Sequence, residues 1–71
     1  MPSVIFEIES PELATVKDVA QAHSLTVFVH GNDGEDATVE LRCATLAPLE
    51  DAAAALEETV VSYRNPQWRA A

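Results

Sequence analysis

Seventy-one residues set a ceiling of one domain, and a chain this short buries only a modest core. One cysteine, Cys43, rules out an internal disulfide, and two histidines are too few for a clustered Cys/His metal staple. Twelve acidic residues against four basic ones give a formal net charge of −8, which disfavours direct contact with nucleic acid or an anionic membrane.

Ser3 to Glu9 alternates in the manner of a half-buried strand, with Val4, Phe6 and Ile8 on one side and Ile5, Glu7 and Glu9 on the other. Ser10-Pro11-Glu12 reads as a helix start: a capping hydroxyl, a proline at the first position and an acid at the positive end of the dipole. The helix runs to about His23, with Leu13, Val16, Val19 and Ala20 on its apolar side.

Leu25 to His30 is rich in β-branched and aromatic residues and reads as a second strand. The polar stretch Gly31 to Asp36, with Asp33-Gly34 inside it, predicts a hairpin. Thr38 to Cys43 is the returning strand, with Val39, Leu41 and Cys43 inward and Thr38, Glu40 and Arg42 outward. Pro48 marks the first turn of a second helix, with Glu50 and Asp51 at its positive end. Leu49, Ala53, Leu56, Val60 and Tyr63 then recur at helical spacing. Asn65-Pro66 stops the helix, so residues 1–66 form the domain and 67–71 a tail.

This order predicts an α+β fold, β-α-β-β-α. A three-stranded antiparallel sheet carries both helices on one face, a ferredoxin-like arrangement lacking its last strand. The inward set is Val4, Phe6, Ile8, Leu25, Val27, Val29, Val39 and Leu41. The opposite face has no covering helix, and the first strand is an open edge. Ile5, Glu7, Phe28, Glu40 and Arg42 then form a candidate interface. The tail residue Trp68 either joins that interface or folds back over it.

No catalytic constellation emerges. His23, His30 and Cys43 fall on different elements and do not converge on a metal. Asn32 to Asp36 lacks the spaced ligands of a calcium loop and fits a turn. Gly31 and Gly34 are the only glycines, too few for a phosphate cradle. Ser3, Ser10, Ser24 and Ser62 show no grouping with a histidine and an acid. The reading is therefore no enzyme, no cofactor and no metal.

Pro2 ahead of a first strand resembles the small tautomerases, which use an amino-terminal proline as a base. That likeness implies an enzyme once Met1 is removed. The element order, with Leu41-Arg42-Cys43-Ala44, Leu49 and Tyr63-Arg64, resembles the small dimerising subunit of the KEOPS tRNA-modification complex. That resemblance implies a β-α-β-β-α fold, a dimer, and docking on a catalytic subunit through the helices. Glu50 and Asp51 stand where that family has basic and Asn residues, so no functional residue is carried across.

The expected function is that of a small acidic, non-catalytic interaction subunit or regulator. It binds itself or another protein through the open sheet face or the first-strand edge. An acidic inhibitor occupying a basic site is the alternative. With neither a leader nor a membrane span in the sequence, a cytoplasmic location is expected.

Overall fold

In the computed structural model, residues Met1–Ala70 are described. Strand β1 spans Ser3–Glu9, and a single 3-10 turn, Ser10–Glu12, leads into helix α1, Leu13–Ala22. Strands β2, Thr26–Asn32, and β3, Asp36–Arg42, form a hairpin. Helix α2 spans Leu46–Thr59, and strand β4, Arg64–Arg69, closes the chain. The sheet order is β2-β3-β1-β4, and every neighbouring pair is antiparallel.

The fold is α+β, but the expected three-stranded sheet lacking a last strand is wrong: there are four strands. Residues expected to form a tail pair with β1 instead, Gln67 opposite Ile5, Trp68 opposite Val4 and Arg69 opposite Ser3. Strand β1 is consequently interior, and the first-strand edge expected from the sequence does not exist. The open edges are β2 and β4.

Pairing explains how so unpromising a segment becomes a strand. Asn65 takes a positive φ of 54°, and the register between β1 and β4 slips between Ile5 and Glu7. The extra residue forms a bulge that accommodates Asn65-Pro66 on the side where no further strand needs a donor.

Both helices pack on one face. Val16, Ala20, Leu49, Ala52 and Leu56 share a buried cluster with Val4, Phe6, Ile8, Val39 and Leu41. Val27 only borders that core, and Val29, expected inside, is 43% exposed. Strand β2 lies at the rim of the sheet, and its register with β3 shifts at a second bulge between Val29 and Gly31.

Helix α2 begins two residues before Pro48, so Glu50 and Asp51 fall in its second turn. It stops at Thr59, not Asn65. Tyr63 lies beyond it and reaches the core through the Phe6 ring, with centroids 4.9 Å apart. Glu12 fixes the turn after α2, accepting from the backbone N–H of Val61 at 3.1 Å and that of Ser62 at 3.0 Å. The Ser62 hydroxyl also donates to Glu12 and accepts the Glu9 N–H. Ser10 does not cap a helix; its hydroxyl donates to the Asn32 side-chain carbonyl.

Candidate functional site: the open sheet face

Directly opposed residues in an antiparallel ladder share a face, so the register sorts the side chains. Three rows cross the face away from the helices: Arg69, Ser3, Arg42 and Thr26; then Gln67, Ile5, Glu40 and Phe28; then Arg64, Glu7, Thr38 and the bulged end of β2. Five of the six expected interface residues lie in these rows. Ile5 and Glu7 are half-buried, Phe28 is 38% exposed, and Glu40 and Arg42 stand beside one another.

Trp68 does not belong with them. Its partner Val4 points into the core, so Trp68 lies on the helix side, lining an apolar cleft with Leu46 and Glu50. It neither joins the open face nor covers it.

Glu40 is the centre of the open face. It is 5% exposed, and both carboxylate oxygens are engaged. Oε1 accepts from His30 Nε2 at 2.6 Å, and Oε2 from Arg42 Nε at 2.7 Å. Arg42 Nη2 adds a longer contact to Oε1, 3.3 Å. Hydrogen bonds from Arg42 and then His30 outweigh desolvation and pull the Glu40 carboxyl down to about 2. It is an anion throughout the physiological range. The β2 bulge falls at His30 and aims that ring at Glu40. Arg42 in turn lies over the Phe28 ring, 4.2 Å from its centroid.

The cations are less scattered than the sequence implied. Arg42, Arg64 and Arg69, three of the four basic residues, all lie on this face. Arg64 reaches Asp36 at 2.9 Å and Glu7 at 3.7 Å. Glu7, Glu9, Asp36 and Glu40 balance the three arginines there. The helices and loops carry the other eight carboxylates against Lys17 alone. No run of charge in the sequence reveals this partition; only strand register does.

The remaining polar candidates have structural partners. His23 Nδ1 donates to the Val19 carbonyl at 2.9 Å. Asp33 accepts the N–H groups of Glu35 and Asp36 at 2.9 and 2.8 Å, which lowers its carboxyl below the ordinary value. Among the described residues, no three of His, Cys, Asp and Glu come together as metal ligands. No described helix is long and apolar enough to cross a membrane. No family model, curated protein or solved structure matches the chain.

Proposed function

We propose that the protein is a small non-catalytic interaction module that engages a polypeptide, a second copy of itself or another chain, through the open sheet face and the adjoining β2 edge. One observation carries this reading. The chain leaves that face uncovered, yet fixes its polar groups: Glu40 holds His30 and Arg42, and Arg42 is stacked on Phe28. Side chains already held in place lose little freedom on binding, which favours association. Phe28 and Val29 point to opposite sides of β2, and both are exposed. That edge contains no proline or lysine to discourage strand addition, whereas β4 carries Pro66.

Sedimentation over a range of concentrations, together with co-purification from the native host, tests the reading on wild type and Phe28→Glu. The expected result is an assembly that forms with wild type and is lost in the variant. Failure of wild type to assemble with itself or any other chain overturns the proposal, as does an assembly indifferent to Phe28→Glu.

A further inference from the structure

Strand β2 is an open edge, and the hydrogen bonding of its neighbours fixes which of its backbone groups are free. The Cys43 N–H donates to the Pro2 carbonyl, on the β1 side of β3. Successive residues of a strand aim their N–H and C=O groups to opposite sides. Leu41 and Val39 therefore also face β1, while Arg42, Glu40 and Thr38 face β2. Thr26, Phe28 and Gly31, opposite those three, direct their backbone groups into β3. Val27 and Val29, opposite Leu41 and Val39, direct theirs out of the sheet.

We propose that a second copy of this chain pairs with this edge through its own β2, antiparallel, about a two-fold axis at Phe28. The inference rests on the interaction reading above and names the partner and its register. Val27 exchanges N–H and C=O bonds with Val29 of the second copy, and Val29 with Val27. Phe28 falls opposite its own counterpart in a non-hydrogen-bonded position, where Cα atoms are about 4.5 Å apart and side chains meet most closely. Two outward-facing residues on either side of a central one are self-complementary under a two-fold rotation. Phe28, already stacked against Arg42, and Val29 both leave water on pairing.

Charge favours a second copy over another chain. Strand β2 is the one described strand or α-helix without a carboxylate, lysine or arginine. Helix α1, which packs on it, balances Lys17 against Asp18. Glu50, Asp51, Glu57 and Glu58 stand on α2, which packs on β1. In the joined sheet β1 and its counterpart are five strand spacings apart, about 24 Å, well beyond the Debye length of about 8 Å. Antiparallel pairing also sends the hairpin acids Asp33 and Glu35 of the two copies to opposite ends, about 30 Å apart. A chain at −8 thus has one border where its own copy meets no like charge, and where a basic partner finds no acid to pair with.

The test is sedimentation and amide hydrogen exchange of the full-length protein, above neutral pH and over a range of concentrations. Wild type, Phe28→Glu, Phe28→Lys and an equimolar mixture of the two variants are compared. Wild type is expected to dimerise. Its Val27 and Val29 amides should become protected as concentration rises, while the Phe28 amide, bonded within the chain, is protected throughout. Each variant alone should be a monomer, and the mixture should associate about tenfold more tightly than either, because residue 28 faces its own counterpart. A dimer whose Val27 and Val29 amides exchange alike at all concentrations overturns edge pairing and leaves the interaction module standing. A mixture no tighter than the separate variants overturns the register at Phe28. A wild type that stays monomeric yet captures another chain, in a manner sensitive to Phe28→Glu, overturns the second copy but not the module. A wild type that assembles with nothing overturns both.

Discussion

The guanidinium of Arg42 lies 4.2 Å from the centroid of the Phe28 ring while its Nε is bound to Glu40. One arginine therefore ties the aromatic residue of the rim strand to the buried carboxylate of its neighbour. Phe28→Ala should release that arginine: its Nε–H signal should broaden and exchange faster with solvent, while the fold persists. An unchanged arginine signal would mean that Glu40 alone fixes it.

Glu40 makes stability depend on acid. Its carboxyl is depressed from 4.5 to about 2 in the folded protein, so the stabilisation is complete above the ordinary carboxylate range. It is lost as pH falls from there through about 2. Glu12 and Asp33 are also lowered and act in the same direction. Denaturation midpoints measured from neutral to strongly acidic pH should fall along this limb. Glu40→Gln should have a lower midpoint at neutral pH and a shallower acid limb. Parallel limbs for the two proteins would exclude Glu40 as a source of the slope.

Leu56 is fully buried between α2 and the sheet. Leu56→Ala should cost about 2–5 kcal/mol, a large share of the stability of so small a domain. Chemical denaturation monitored by far-ultraviolet circular dichroism measures the loss. A midpoint that does not move would place this side chain outside the core.

Ending the chain after Pro66 removes Gln67, Trp68 and Arg69 from the sheet and bares one side of β1. Loss of the half-buried Trp68 alone costs about 1 kcal/mol. The unpaired β1 edge should also promote aggregation. Light scattering and a thermal melt on the truncated chain report both effects. A truncated protein as stable and soluble as the intact one would make β4 dispensable.

Glu12→Ala should free the turn after α2, because Val61 and Ser62 lose their acceptor. Their amides should exchange faster with solvent, and β4 should loosen with them. Amide protection unchanged at Val61 and Ser62 would show that the backbone holds this turn unaided.

Periodicity alone identified β1, β3 and both helices, because each buries one side and exposes the other. The residues Ile5, Phe28, Glu40 and Arg42 could be assigned to one face for the same reason. Strand β4 was not legible. Arg64-Asn65-Pro66-Gln67-Trp68-Arg69 has no β-branched residue, contains a proline and needs a positive φ at Asn65. Its strand character comes from β1, some sixty residues away in sequence. Missing it misplaced Trp68, whose side follows from lying opposite Val4. The grouping of Ser3, Arg42 and Arg69 was hidden for the same reason: three residues on three strands meet only through register.

The division of charge gives the molecule a permanent electric dipole. Its negative pole is formed by the helices and loops, and its nearly neutral pole is the sheet. On a positively charged support the protein should settle on its helices and hold the sheet outward. Two copies drifting together meet least repulsion with their sheets in front, because that orientation keeps the acidic layers farthest apart.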